Sequence, residues 1–348
     1  MKLRYGKADE NVRKRSIEDV ILHERQKYAK GFRYEKQFPE MTGGKNGSML
    51  FEGLGTGTVL LRSPLGAELA VLAAVNRLAA RKIRAERIFT TLLLPAGTEE
   101  EAMRPLIRQA CGTVFEHGME IGEVQAEVTD AVNRPVLYVT AAGTRFHGCI
   151  SDDPAPAPCI SGKKMSSPAN EIVLAGTAGM EGTCILATEY FERLQDRFPA
   201  SLLSRMKDLR SRLCILETAE TAAELERQRG QDLSAMVSPG EGGIFAGLWE
   251  LAEKTGCGMK VDLQAIPLLQ ETIEITEYLG IDPYLMRAGG SLLIVCPDGE
   301  KLAEELRKKG SDAVKIGALT SGNDRVLING EETRYLDRPQ TDSLTAFC

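Results

Sequence analysis

The sequence contains no aspartate between Asp19 and Asp130, although this stretch covers nearly a third of the chain. Mg²⁺ is held in proteins mainly by carboxylate and water oxygens, and paired ions need their carboxylates at fixed separations. Glutamates such as Glu52, Glu68 and Glu123 remain, but their longer side chains seldom reproduce the geometry of an aspartate site. The sequence therefore predicts no metal-ligating residues.

Motifs for histidine, cysteine or serine chemistry are also missing. The three histidines, His23, His117 and His147, lack the spacing of metal ligands. The eight cysteines form no Cys-x-x-Cys pair and lie in apolar segments, which favours reduced, buried thiols over disulfides or structural zinc. No Gly-x-Ser-x-Gly elbow offers a nucleophile. The catalytic residues, if there are any, stay unknown.

Long apolar runs and aromatic residues are scarce. No window approaches the roughly 18 apolar residues of a membrane span, and the first ten residues lack the apolar core of a signal peptide. A cytoplasmic protein without a membrane partner is expected. Aromatic residues make up 5% of the chain, with one tryptophan, so the basic and aromatic surface of a nucleic-acid binder is not predicted.

Charge is distributed unevenly along the chain. Residues 1–150 carry 22 Lys and Arg against 18 Asp and Glu (net +4), and the remainder carries 21 against 31 (net −10). Opposite charges are suited to the docking of the two halves or of two subunits. A nucleic-acid partner is a minor alternative, which predicts salt-sensitive binding.

A Pro-rich segment, Asp152–Pro158, interrupts both helical and strand periodicity and predicts two domains. The predicted boundaries are an amino-terminal domain (1–150), a linker (151–170), a carboxy-terminal domain (171–335) and a tail (336–348).

Apolar periodicity and turn residues predict alternating helices and strands in both domains. In the first domain, helices are predicted over 16–30, 67–82 and 98–118, the last capped by Thr98, and strands over 87–95 and 134–143. In the second, a strand (171–175), a glycine turn (176–183) and a helix from Cys184 towards Gln195 come in succession. Further helices are predicted over 218–229, 241–255, 267–279 and 299–309, strands over 258–263, 291–296 and 312–319, and a hairpin at Asn329-Gly330.

Several runs, in order, resemble the AIR synthase superfamily, which includes HypE-like hydrogenase-maturation proteins. The main run is Ser238–Gly256, which continues to Ala288–Ile294; the others are Thr91–Thr98, Glu127–Pro135 with Val139–Gly143, and Ala178–Ala187. The resemblance covers residues 10 to 335. It implies an α/β (α+β) fold of two domains, an amino-terminal domain with a dimer-forming sheet and a larger carboxy-terminal α/β domain. A homodimer is therefore expected.

The same resemblance implies that ATP binds between the domains through magnesium ions held by amino-terminal aspartates, but this chain departs from each aspartate motif. The family's Thr-Asp-Pro aligns with Glu52-Gly53-Leu54, its Asn-Asp pair with Asn76-Arg77, and its Gly-Gly-x-Thr with 123–126. Its early Gly-x-Gly-x-Asp has only Thr42–Ser48 as a candidate. Its His-Asp-x-Thr aligns with 237–240. ATP stays a candidate ligand, whereas the magnesium site is eroded.

The candidate cofactor-binding residues lie in two glycine segments and one helix. Glycine turns before helices expose backbone N–H groups that bind phosphate, although the same glycines also suit a tight turn alone. Arg77 reverses a family carboxylate and is suited to an anion, or to a solvated face or a salt bridge. The candidates are Asn76, Arg77, Gly176, Gly179, Glu181, Gly182, Thr183, Glu241, Gly242 and Gly243.

Two functions are compatible with this pattern. The first is a HypE-like homodimer with an eroded Mg-ATP site, which binds a nucleotide, phosphate or other anion, acts as a regulatory module and has a maturation protein as partner. The alternative is an active ATP-dependent enzyme, for hydrogenase maturation or as a kinase or synthetase. It requires Glu52, Glu123 or Glu127 to converge with Asp130 near 176–183. Cys348 matches the terminal cysteine of HypE-like proteins, but the family's Pro-Arg-x-Cys ending is absent, so a coincidental terminal cysteine is the favoured interpretation.

Overall fold

The computed structural model describes residues 2–3, 6–31, 53–60, 63–146, 170–229, 233–338 and 341–346. The Asp152–Pro158 and Thr42–Ser48 segments, Glu52, His147 and Cys348 lie outside the described residues. The chain divides into two compact units, the first formed by residues 1–78 and 83–145 and the second by 79–82 and 146–348.

A five-stranded mixed sheet forms the centre of the first unit. Its strand order is β1-β4-β3-β5-β2, in which β3 runs parallel to β4 and antiparallel to β5. The strands are β1 (Gly6–Lys7), β2 (Gly53–Leu60), β3 (Ile83–Pro95), β4 (Glu120–Thr129) and β5 (Val136–Arg145). The helices are α1 (Glu10–Arg13), a π-helical turn (Lys14–Glu18), α2 (Asp19–Gly31), α3 (Gly66–Ala79) and α4 (Glu100–Glu116).

Helix α3 shows how the apolar pattern produces this unit. The predicted stripe of Ala70, Val71, Ala74, Val75 and Leu78 is fully buried, which confirms the interpretation of its periodicity. The helix ends three residues before its predicted end. Lys82 adopts a positive φ of 61°, and its N–H bonds to the Ala79 carbonyl in a tight turn instead of continuing the helix.

Helix α4 begins differently from its prediction. Thr98 was expected to cap the helix, but its hydroxyl donates to the Pro95 carbonyl at 2.7 Å. Glu99 is the N-cap residue and makes no side-chain capping bond. The predicted Thr98 cap is therefore wrong, because the helix begins one residue later than predicted and Thr98 lies in the turn after β3.

The second unit is a seven-stranded mixed sheet with helices on both faces. Its strand order is β12-β11-β8-β10-β6-β9-β7, and only the β11–β8 pair is parallel. The strands are β6 (Glu171–Ala175), β7 (Ala235–Val237), β8 (Gly258–Asp262), β9 (Leu292–Cys296), β10 (Ala313–Thr320), β11 (Arg325–Asn329) and β12 (Glu332–Tyr335). The β11–β12 hairpin confirms the Asn329-Gly330 prediction.

The helices of the second unit follow most of the predicted pattern. They are α5 (Met180–Glu189), α6 (Phe191–Gln195), α7 (Ala200–Asp208), α8 (Leu216–Arg229), α9 (Gly243–Thr255), α10 (Gln270–Leu279) and α11 (Gly299–Lys308). One core cluster packs α9 residues such as Leu248 against the sheet, and a second contains residues of α8 and α11 such as Leu306. The sheet is thus buried on both faces.

Candidate functional site

Strand directions bring three loops of the second unit to one edge of its sheet. Strand β9 is antiparallel to both β6 and β7, and its first residue, Leu292, pairs with Ala175 at the end of β6. Leu293 pairs with Val237 at the end of β7. The turns that follow β6 and β7 therefore meet the loop that leads into β9. Both predicted glycine segments of the second unit lie in these turns.

The first glycine turn is shorter than predicted. Residues 176–179 form the turn, whereas Glu181, Gly182 and Thr183 already lie in the first turn of α5. Gly176 and Gly179 have φ values of 98° and 68°, which L side chains rarely adopt. A Cβ at Gly179 or Gly182 would also collide with Met286. These glycines thus permit a turn and a close helix contact.

Much of the N–H capacity of this turn is used within the protein. Gly176 donates to the Asp312 carbonyl at 2.7 Å, Ala178 to Pro267 at 3.0 Å and Gly182 to Arg287 at 3.0 Å. Thr177 is 3% exposed, and its hydroxyl has no hydrogen-bond partner in the described part of the chain. Such a buried hydroxyl is uncommon and indicates a place for a further polar group.

Glu181 and Arg287 form the charged centre of the site. The Arg287 Nε lies 2.8 Å from Glu181 Oε1, and the Gly289 N–H donates to Oε2 at 3.0 Å. The attraction of buried Glu181 raises the pKa of Arg287, with smaller contributions from Asp342 and Glu241. The loop before β9 thus adds a fixed cation to the glycine turns. Sequence reasoning missed Arg287, although it directly precedes the Ala288-Gly289-Gly290 turn that carried the family resemblance.

The second glycine segment packs against the same loop. Gly242 and Gly243 have φ values of 78° and 69°, and a Cβ at Gly243 would collide with the carbonyl oxygens of Tyr284 and Met286. The Gly240 carbonyl accepts from the Ala288 N–H at 3.1 Å. Exposed Glu241 lies 3.9 Å from Arg287 Nη1. The structure therefore brings the two predicted glycine segments together around Arg287.

Asp342 joins this cluster from the end of the chain. Its carboxylate accepts from the Gly242 N–H at 2.7 Å and from the Leu344 N–H at 2.9 Å. Burial raises the pKa of Asp342; the two backbone hydrogen bonds and the charge of Arg287 oppose this increase. No local pattern of residues indicates this contact, since the two residues are 100 positions apart.

The remaining predicted residues, Asn76 and Arg77, belong to the first unit. Asn76 is buried and Arg77 is exposed on α3, and both interact with neighbouring residues. Their role in binding stays a prediction. In that unit a cavity of about 630 Å³ is lined by the amino-terminal segment, Arg15 and Glu127.

The other candidates for chemistry among the described residues are carboxylates and thiols. Within the ranges that the structure describes, there is no group of three or more His, Cys, Asp or Glu positioned to hold a metal ion. Glu123 is exposed and accepts from Gln125 at 2.9 Å. The predicted convergence of Glu123 or Glu127 with Asp130 near 176–183 stays a prediction. Burial raises the pKa of Cys111 and Cys296 to about 12, so both thiols are protonated at neutral pH.

Comparison with known proteins relates the chain to one family. Residues 167–329 match the family model described as AIR synthase related protein, C-terminal domain. A carbamoyl dehydratase HypE of Rhodobacter capsulatus is 25% identical over 292 residues, which cover 81% of this chain and 78% of that protein.

Two solved structures share the fold. A hydrogenase maturation protein HypE in complex with ATP has a TM-score of 0.66 at 19% identity, over 94% of this chain and 95% of that one. A HypE–HypF complex has a TM-score of 0.63 at 20% identity, over 82% and 90%. Among the described helices, none combines the length and the apolar character that crossing a bilayer requires.

Proposed function

We propose that the chain is a HypE-like protein of the AIR synthase-related superfamily and that it binds a nucleotide or another phosphate-bearing anion at the glycine turns of its second unit. Binding would not depend on the magnesium ions of the family. The protein would act as a regulatory homodimer in hydrogenase maturation, and not as an ATP-consuming enzyme.

Arg287 is the observation that carries this proposal. It lies where the two glycine segments meet, and buried Glu181 holds it in place. Its second anionic neighbour, Glu241, is 73% exposed and 3.9 Å away. Because Glu241 is itself exposed and its oxygen lies 3.9 Å away, an incoming anion can replace it at a cost of about 0–1 kcal/mol. Arginine is suited to phosphate because its planar group can donate two parallel hydrogen bonds.

Magnesium does not fit this cluster of side chains. The Glu181 carboxylate accepts from Arg287 and Gly289, and the Asp342 carboxylate accepts from two backbone N–H groups. A divalent ion there would have to displace these donors and lie beside a guanidinium group. In the first unit, the aspartate-free stretch from Asp19 to Asp130 removes the ligands that the family uses.

Calorimetric titration with ATP tests the proposal. We expect the dissociation constant to be the same with and without Mg²⁺, and we expect no release of phosphate. Arg287→Lys keeps the charge but loses the planar donor pair, so ATP should bind about tenfold more weakly. Arg193→Lys, at an exposed position of α6, is the matched control and should bind as the unchanged protein does. Magnesium-dependent turnover would instead support the active enzyme.

The proposed homodimer would form through one strip of the five-stranded sheet. Thr91 of β3 pairs with Tyr138 of β5, and Tyr138 is 44% exposed. Phe89 and Leu93 are half-buried on the same side of β3. A partly apolar strip of this kind is suited to a second copy of the chain. Light scattering should show a dimer that Tyr138→Glu converts to a monomer. Tyr335→Glu, which alters an exposed tyrosine of the other sheet, should leave the dimer intact.

The proposed partner of this chain is a maturation protein. Because one of the solved structures that share this fold comes from a HypE–HypF complex, a HypF-like maturation protein is the partner to test. Co-purification of the full-length chain with such a protein would support this part of the proposal. Absence of binding at micromolar concentrations would count against it while leaving ATP binding untouched.

A further inference from the structure

The carboxy-terminal segment Thr341–Ala346 is docked on the second unit by two buried side chains. Asp342 is 5% exposed and Leu344 is 3% exposed, whereas Thr341 and Thr345 on either side of them are exposed. The segment makes a 3-10 turn (Ser343–Ala346), and the Asp342 carboxylate accepts from the Leu344 N–H within it. One acid and one leucine thus anchor this short segment.

The segment contacts the cluster of glycine turns through Asp342 and Ser343. The Asp342 carboxylate accepts from the Gly242 N–H at 2.7 Å, and the Ser343 N–H donates to the Leu285 carbonyl at 3.3 Å. The segment therefore connects the second glycine turn to the loop that carries Arg287. The positive charge of Arg287 favours the ionised form of the Asp342 carboxylate, and the negative charge of Glu181 opposes it.

The Gly242 N–H is a group to which an external anion would be expected to bind. Gly242 is the N-cap of α9, a helix of 13 residues. Unpaired N–H groups at such a helix start, together with the helix dipole, favour negatively charged groups. Asp342 already supplies a negative charge at this position. The carboxylate is thus placed as a substitute for the anionic group of a ligand.

We propose that the segment Thr341–Ala346 is an intramolecular competitor of the anion that binds at the glycine turns. This inference rests on the proposed function and adds regulation to it. Asp342 must leave Gly242 before a phosphate group can bind there, and any partner that holds the segment away would increase binding. Because Leu336 is buried and bonded through its N–H to the Arg325 carbonyl at 2.7 Å, the segment stays tethered near its docking position. Short tethers give effective concentrations on the order of millimolar.

Two variants release the segment by different physical means. In Asp342→Asn, one of the two backbone N–H donors faces an amide NH₂ group and loses its acceptor. Leu344→Ala removes the apolar anchor without changing charge. Asp337→Asn is the matched control, because it removes one carboxylate from an exposed position a few residues earlier.

The experiment combines calorimetry and amide hydrogen exchange on the full chain. ATP without Mg²⁺ should bind about tenfold more tightly to Asp342→Asn and to Leu344→Ala, because the docked segment reduces the competent fraction of the unchanged protein. In the absence of ATP, the Gly242 amide should exchange faster in both variants. Asp337→Asn should match the unchanged protein in both measurements. Fluorescence of Trp249, the one tryptophan of the chain, verifies that each variant is folded.

The possible failures are distinguishable. Faster Gly242 exchange with an unchanged ATP dissociation constant would overturn the competition. Unchanged exchange in both variants would overturn the docking itself. If no form of the protein binds ATP, the proposed function fails and this inference fails with it.

Discussion

Glu181 and Arg287 pair at 2.8 Å although 106 residues separate them in sequence. Glu181 lies in the first turn of α5, and Arg287 lies in the loop before β9. The pair therefore fixes the helix that follows one central strand to the loop that precedes its neighbour. It gives the site a rigid frame and holds the Arg287 guanidinium group at a fixed position.

Glu181→Gln should destabilise the second unit by about 3 kcal/mol, since a largely buried Arg287 would lose its charged partner. Urea unfolding followed by Trp249 fluorescence measures this difference, because Trp249 lies in α9 of the same unit. Glu241→Gln is the control. Glu241 is exposed and lies 3.9 Å from Arg287, so its effect should stay within about 0.5 kcal/mol. Equal losses in the two variants would contradict the structural role of Glu181.

Glu100→Gln should remove a stabilising interaction of the first unit that depends on pH. Glu100 is buried and accepts from Arg15 Nε and Nη2, each at 2.6 Å, and from the Ser16 hydroxyl. Hydrogen bonding to Arg15 is the largest of the effects that lower the pKa of Glu100 to about 2. We expect a loss on the order of 2 kcal/mol at pH 7, less than the pKa shift alone implies because Arg15 is water-exposed.

The pH dependence of Glu100→Gln has a definite sign. A lowered folded-state pKa stabilises the protein above the unfolded value of 4.5, and this stabilisation is lost as pH falls towards 2. The difference between Glu100→Gln and the unchanged protein should therefore decrease between pH 5 and pH 3. Glu101→Gln, at an exposed neighbouring position, should show little difference at any pH. A difference for Glu100→Gln that does not change with pH would contradict the ion-pair explanation.

Local periodicity was enough to predict much of this fold. The α3 stripe, the strand Glu171–Ala175 and the hairpin at Asn329-Gly330 are each specified by neighbouring residues. Strand β4 (Glu120–Thr129) was not predicted, because exposed residues such as Glu123 and Gln125 on one face hide its apolar face. Thr98 was misassigned because the helix begins one residue later than predicted, with Glu99 as its N-cap residue.

The candidate site was predictable only in part, for a physical reason. Glycines at 176, 179, 242 and 243 reveal turns, since the positive φ that they adopt is a local requirement. Arg287 and Asp342 acquire their roles from contacts across 106 and 100 residues, which only the folded chain creates. No periodic pattern records such contacts.

Gly243→Ala should destabilise α9 by more than the cost of placing an alanine in a left-handed backbone conformation. Gly243 and Gly256 lie at opposite ends of α9 with similar φ values of 69° and 62°. A Cβ at Gly256 meets nothing within 4 Å, whereas one at Gly243 meets the carbonyl oxygens of Tyr284 and Met286. We expect about 1–2 kcal/mol for Gly256→Ala and at least about 3 kcal/mol for Gly243→Ala, measured by urea unfolding. Equal effects would show that the loop before β9 moves away freely.

Docking of the carboxy-terminal segment should strengthen as the solution becomes more acidic. Burial raises the pKa of Asp342 above its ordinary value of 3.8, so the docked state binds a proton more tightly than the released state. A raised pKa contributes stability at low pH that is lost as pH rises through the docked-state value. The free energy of unfolding of the unchanged protein, relative to Asp342→Asn, should therefore increase as pH falls from 7 towards 4. The Arg287 charge limits this change, because it favours the ionised carboxylate. Carbon-13 NMR of the Asp342 carboxyl group measures the same titration directly, and a midpoint below 3.8 would show that Arg287 and the two N–H donors outweigh burial.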